Sequence, residues 1–351
     1  MEVITQPIYT LNMGLSESEF LRREFSLSLA ELSRSVEKKI SESSLFYVAT
    51  TNPLELKSLL QNCRTKSAVI FFFGNETYDI PQTQWLNRYS NKIKIAFIYN
   101  LPTKTSFIIS LRCLMGAIKD GGLLFWKGER NLLRNFKNGI DLMKRTRKLT
   151  LNFPYHDFPQ GYSQRFVSEI KLAGIDIGES SILENAPLII SDKNKKISFT
   201  GQSGSWCREL AIRVLTKIDM KFVPRYTQGW GGLNQGKLTT YVDSLIQSEF
   251  TLTPPGNLTN RTYRYLESLI FNSVPITPPS TLQDPHLWGT WSESFKPKYF
   301  SWKGQINRAL KLSSDEREKI VFTALLEEKR KIENIKAILE DIDKFSEPIA
   351  P

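Results

Sequence analysis

The pattern of apolar and polar positions changes character several times along the chain. From Ser16 to Ile40, Phe20, Phe25, Leu29, Leu32 and Val36 recur near the helical period, which predicts one amphipathic helix. Short apolar runs follow: LFYVAT (45–50), SAVIFFFG (67–74) and KIKIAFIYN (92–100). They are rich in β-branched and aromatic residues and end in turn formers, so each predicts a strand. Helices are expected at 53–62 and 105–118, and GGLLFWKG (121–128) reads as a further strand.

LTLNFPYHDFPQGYSQRF (149–166) breaks this rhythm with prolines, aromatics and a glycine, and reads as a crossing between domains. Alternation then resumes. Strands are expected at 196–201, 221–224, 249–254 and 273–277, and helices at 205–218 and 237–248, with one more helix over NRTYRYLESL. Between Ser313 and Phe345, Leu325, Ile332, Ile335, Leu339 and Ile342 form an apolar stripe, which predicts a long helix packed on the body. The expected fold is α/β. Two Rossmann-like parallel-sheet lobes, 1–150 and 151–312, would flank an interdomain cleft, with a C-terminal amphipathic helix and tail at 313–351. Strands alternating with helices favour parallel sheets covered on both faces.

Charge narrows the partners. Lys and Arg number 47 against 36 Asp and Glu, a formal excess of 11, which favours anionic partners without choosing among nucleic acid, phosphorylated metabolites and acidic surfaces. The three cysteines, Cys63, Cys113 and Cys207, suggest neither a disulfide framework nor a zinc cluster. With only His156 and His286, a histidine-built metal site is not expected. MEVITQPIYTLNMG lacks the basic and apolar regions of a secretory signal, so a cytoplasmic protein is the expectation.

Ligands of open parallel sheets bind beyond the carboxyl ends of the strands, so the loops there are the places to look. In SFTGQSGSWCREL (198–210), Gly201 and Gly204 follow a strand, Ser205 is placed to cap a helix, and Arg208 falls in its first turn. The motif suits a phosphate, although a plain surface turn would look similar. In EFTLTPPGNLTNRTYRYLESL, Pro254 and Gly256 shape a loop, and Asn260 can cap the following helix. Arg264 and Glu267 stand three residues apart on that helix. They are either an exposed ion pair, worth ~0–1 kcal/mol, or separate grips, Arg264 on a phosphate and Glu267 on a ribose.

Residues 241–276, YVDSLIQSEFTLTPPGNLTNRTYRYLESLIFNSVPI, resemble the donor-binding region of the exostosin-like glycosyltransferases. The matching residues are Tyr241, Leu245, Ser248, Phe250, Leu252, Pro254, Gly256, Arg264, Glu267, Val274, Pro275 and Ile276, with Arg208 matching upstream. The resemblance implies a GT-B fold and inverting, metal-independent transfer of a sugar, without a cofactor, from a nucleotide-sugar donor to a glycan hydroxyl. It assigns Arg208 and Arg264 to the diphosphate and Glu267 to the ribose. The layout also resembles the fucosyltransferases that use GDP-fucose, the alternative enzyme reading. A basic nucleic-acid-binding protein is the non-enzymatic alternative, argued from charge alone.

Transfer to an alcohol needs a general base near the attacking hydroxyl. His156 and Asp157, in the predicted hinge PYHDFP, are put forward for that role, with Asp120 behind them. His156 reads equally well as a packed linker residue. QGWGGLNQG (228–236), with Trp230, would line the donor or acceptor pocket, or form a surface loop.

Overall fold

The computed structural model describes residues 8–11, 15–31, 45–50, 53–62, 67–72, 85–99, 120, 151–159, 161–190, 192–201, 206–219, 222, 224–226, 239–254, 263–277 and 301–344. Among them, parallel sheets of six, three and two strands organise a mixed α/β structure.

The first sheet contains β1 (Ile8–Leu11), β2 (Leu29–Glu31), β3 (Leu45–Thr50), β4 (Ser67–Phe72), β5 (Ile93–Tyr99) and β6 (Tyr155–Phe158). Their order is β2-β1-β3-β4-β5-β6, and every neighbouring pair is parallel. β3, β4 and β5 form where the apolar runs predict them. Such runs are continuous because both sheet faces are covered. Tyr47, Val69 and Phe71 enter one core, and Val48, Ile70 and Phe72 the other. Helix α1 (Leu15–Glu24) covers the first face, and α2 (Pro53–Asn62), with a proline at its first position, covers the second.

The helix expected over 16–40 is corrected. It stops at Glu24, Ser26 adopts a left-handed φ of 52°, and Leu29–Glu31 pairs with β1 as a strand. The apolar spacing of Phe20 and Phe25 is helical, whereas that of Leu29 serves a strand equally well. β1 and β6 have no counterpart in the pattern. Tyr155–Phe158, read as part of a crossing, is the sixth strand of the first sheet, in register with Ala96–Tyr99. The expected elements at 105–118 and 121–128 lie outside the described residues.

After β6 come α3 (Gln164–Leu172) and α4 (Ile182–Asn185), capped by the side chains of Ser163 and Ser181 respectively. The second sheet is built from β7 (Lys195–Ser198), β10 (Ser248–Leu252) and β11 (Val274–Ile276), in the order β11-β10-β7. A single residue, Phe199, separates β7 from β8 (Thr200–Gly201), which pairs in parallel with β9 (Arg225–Tyr226). That last strand lies just beyond the expected 221–224. Helices α5 (Trp206–Ile218), α6 (Thr239–Gln247) and α7 (Arg264–Ile270) connect these strands in turn.

The C-terminal part adds α8 (Trp302–Ala309) and α9 (Ser314–Lys344). The stripe predicted on α9 is buried at Leu325, Ile332, Ile335, Leu339 and Ile342, and the helix packs on α7, α4 and β11. Lys193 reinforces the base of this region. Its amine donates to the carbonyls of Leu245, near the end of α6, and Phe271, just past α7, the latter at 2.5 Å. Burial pulls its pKa down to about 8.

One core runs from the α1 face of the first sheet, through α3, into the second sheet and α9. Glu24 sits inside it, 1% exposed, at the end of α1. It accepts from Tyr162 Oη at 2.6 Å, Ser181 Oγ at 2.5 Å, and the backbone N–H groups of Ile182 and Leu183 at 2.9 and 3.4 Å. Its carboxylate thus satisfies the start of α4 from another element. Burial and the facing Glu24 push the Tyr162 phenol well up, which keeps it a donor. Glu24→Ala is expected to lower unfolding stability in urea by about 3 kcal/mol or more, because each orphaned buried donor costs about 1–3 kcal/mol. An unchanged urea midpoint would contradict this account.

Candidate functional site

β10 and β11 end at one edge of the second sheet, β8 continues the chain past β7 as half of the separate β8-β9 pair, and Arg264 reaches back to β8 from the start of α7. Its Nε donates to the Thr200 carbonyl at 2.8 Å, and its guanidinium lies 5.9 Å from the centre of the Phe199 ring. The next residue is Gly201. A Cβ there would lie 2.4 Å from Arg264 Nη2 and 2.9 Å from Cζ. Glycine at this position leaves the arginine the space that a side chain would take. The bond to Thr200 uses one of five guanidinium N–H groups.

Arg208 is half-buried in the first turn of α5, the helix that follows β8. Arg264 and Arg208 are therefore both tied to the end of one strand, the first by contact and the second by the helix that begins beyond it. Gly204 and Ser205 lie outside the described residues, as do Gly256, Asn260 and Trp230. Pro254 is buried just past β10, where the N–H of neighbouring Thr253 bonds the Ile276 carbonyl at 3.0 Å.

Glu267 is one turn further along α7 and only 2% exposed. The reading of Arg264 and Glu267 as an exposed ion pair is corrected: the carboxylate faces inward, and among the described residues no ion pair joins the two. Oε1 accepts from the Ser163 N–H at 3.2 Å and from Ser163 Oγ at 2.9 Å. Oε2 accepts from Tyr241 Oη at 2.5 Å. Ser163 Oγ also accepts from the Phe166 N–H at 3.2 Å, so its one proton is committed to Glu267. Leu266, Leu269 and Ile270 form the buried face of the helix, while Tyr263 is half-buried.

Sequence reasoning missed the rest of this network. Ser163 lay inside the supposed crossing, and Tyr241 was noted only as part of a resemblance. Glu169 on α3 is fully buried and pairs with Arg165 at 2.7 Å. Burial raises the pKa of Glu169, and the nearby Glu267 raises it further, while Arg165 opposes the shift. Burial likewise raises Glu267, against the donors Tyr241 and Ser163 and the charge of Arg264. The Tyr241 phenol is pushed well up by burial and by the Glu267 charge. A serine three residues before Phe166 is the one sequence signal, as a helix cap.

The proposed bases are placed elsewhere. His156 is exposed on β6, its ring stacked on Phe97 with centroids 6.1 Å apart. Asp157 shares that strand, in register with Ile98. Asp120 Oδ2 accepts the Trp302 N–H at 2.6 Å, at the start of α8, and burial raises its pKa. Among the described residues, no three His, Cys, Asp or Glu side chains gather as a metal site, and no helix is long and apolar enough to cross a membrane.

No protein-family model matches the chain. No curated protein matches it either.

Glu169 and Glu267 hold their protons more tightly folded than unfolded. Each therefore contributes stability that is fully present below the ordinary carboxyl value of 4.5 and is lost as pH rises through its raised folded value. Thermal melts of wild type and Glu169→Gln, run from about pH 7.5 down to about pH 5, should show the wild type gaining on the variant as pH falls. A constant difference between the two would remove the raised pKa of Glu169.

Proposed function

We propose that the chain is an inverting glycosyltransferase of GT-B type that moves a sugar from a nucleotide-sugar, a UDP-sugar in the first instance, to a hydroxyl of a glycan. In this reading the second sheet belongs to the donor lobe (151–312) and the first to the acceptor lobe (1–150), which borrows its sixth strand, Tyr155–Phe158, from past that boundary. The observation that carries it is the Arg264 guanidinium packed on bare Gly201 at the end of β8, ahead of the helix that bears Arg208. Backbone N–H groups at a helix start and arginines beside it suit a diphosphate. Glu267, one turn from Arg264, suits a ribose hydroxyl. Of the residues matching the exostosin-like donor region, Pro254 follows β10 at its carboxyl end and Tyr241 donates to Glu267.

The chemistry follows from these roles. The acceptor oxygen forms a bond to the anomeric carbon as the bond from that carbon to the diphosphate oxygen breaks, with inversion. The bonding pair leaves with the nucleoside diphosphate. Arg264 and Arg208 then offset the charge that develops on it, which is the usual source of the largest rate gain in such reactions. The acceptor proton passes to a base, and His156, exposed on β6, is proposed for it with Asp157. A GDP-fucose donor would use the same residues, and the nucleotide screen below separates the two.

A thermal-shift series with UDP, GDP, CMP and their sugars tests the reading. At about a hundredfold excess over Kd, a true ligand stabilises by about 2.7 kcal/mol. Arg264→Ala should weaken binding by about tenfold or more, since it removes a charge-assisted contact. Gly201→Ala should fold with little loss, because the clash falls on the mobile end of Arg264. It should nonetheless lose nucleotide stabilisation, because that end is displaced. No stabilisation by any nucleotide would sink the donor site, and stabilisation untouched by both substitutions would sink these residue assignments.

A further inference from the structure

Five large apolar side chains among the described residues are exposed, and three of them belong to two neighbouring elements. Ile189 and Ile190, 74% and 45% exposed, are adjacent in the loop between α4 and β7, and Phe322 on α9 is 63% exposed. The loop is tied down on both sides of the isoleucines. The Leu188 N–H donates to the Ile270 carbonyl at 2.6 Å, at the end of α7, and Lys193 grips the carbonyls of Leu245 and Phe271. Helix α9 flanks the same segment: Lys329 Nζ donates to the carbonyls of Glu184 and Ala186 at 3.4 and 3.5 Å. Phe322 stands two turns before Lys329 on the same flank of α9. A single exposed apolar residue needs no explanation, whereas a cluster marks a contact surface.

Charge decides what such a surface fits. Lys193 and Lys329 bond backbone carbonyls, which leave their charges uncancelled, and at pH 7 Lys193 lies below its value of about 8 and carries its proton. Lys195 donates to the amide oxygen of Gln247, and a single carboxylate, Glu249, is shared by Lys196 and Arg317. The nearby acids Glu184 and Asp192, and Glu318 beside Lys319, are outnumbered by these cations. We propose that the loop carrying Ile189 and Ile190, with Phe322 beside it, docks on an anionic membrane surface. The isoleucines enter the headgroup region and the lysines face the lipid phosphates, the two attractions that hold a peripheral protein on a bilayer. A second copy of the chain fits less well, because a two-fold contact would bring the same lysines together. Nucleic acid would use the lysines and leave the isoleucines in water. Docking of this kind does not depend on nucleotide binding.

The test is co-sedimentation of the full chain with vesicles of phosphatidylcholine, alone or with about 30% phosphatidylglycerol. The wild type should sediment with the anionic vesicles, and raising salt from about 50 to about 500 mM should weaken this severalfold. The double change Ile189→Ser and Ile190→Ser, and separately Phe322→Ser, should each weaken binding about tenfold. These side chains already face water, so the melting temperatures should match that of the wild type. Leu172→Ser, at an exposed leucine on α3, should bind as the wild type does. Undiminished binding by the double isoleucine variant overturns the proposal, as does equal binding to neutral and anionic vesicles, or to neither. Concentration-dependent dimerisation without lipid, abolished by the same substitutions, would also overturn it and give the face to a second copy.

Discussion

A carboxylate shut away from water must be given hydrogen bonds, and meeting that requirement at Glu267 fixes the geometry around it. The donors come from different parts of the fold: Ser163, where the chain leaves β6 and starts α3, and Tyr241, in the first turns of α6. Loss of either would leave a buried acceptor short, at about 1–3 kcal/mol. The start of α7, which carries Arg264 to the sheet edge, is thereby held against the end of the first sheet's last strand. The orientation of Arg264 over Gly201 depends on that placement.

Glu24 repeats the device on the other side of the same core. It sits at the end of α1 and takes donors from Tyr162 and from the start of α4. Tyr162 and Ser163 are neighbours in the chain, so one dipeptide answers two buried glutamates. Phe20 and Phe166 pack against the Tyr162 ring, whose centroid lies 5.2 Å from that of Phe20, and Phe158 packs on Phe20 in turn. Gly161, at φ 72°, lets the backbone pass against Phe20, where a Cβ would come within 2.5 Å of the ring. Apolar residues of similar size would often be as stable as buried charges. What the carboxylates add is direction, since each accepts donors along a few fixed lines.

Much of this could be read from the sequence where a single segment carried its own signal. LFYVAT, SAVIFF and KIKIAFIY are strands on apolar pattern alone, because both of their faces are covered. The α9 stripe was legible for the same reason. Tyr155–Phe158 was not, because as the last strand of its sheet among the described residues, with His156 exposed, it needs no apolar run, and the prolines around it resemble a linker. The helix from Ser16 was read too long because Leu29 and Leu32 continue its period, and only pairing with β1 decides otherwise.

At the candidate site, Arg264, Glu267 and Gly201 were legible because residue type and loop context together suggested an anion. Ser163 was not, since its bond to Glu267 joins residues 104 positions apart, and no local spacing encodes that. Nor does spacing distinguish a salt bridge from two residues with separate surroundings. Arg264 and Glu267 share a helix face by count, yet one turn of α7 carries them from the sheet edge into the core. In the proposed reading, that step from half-buried cation to buried carboxylate suits the pair to two different groups of one ligand. A charge that must meet a phosphate has to stay near solvent, whereas a carboxylate that selects a neutral hydroxyl gains from being enclosed.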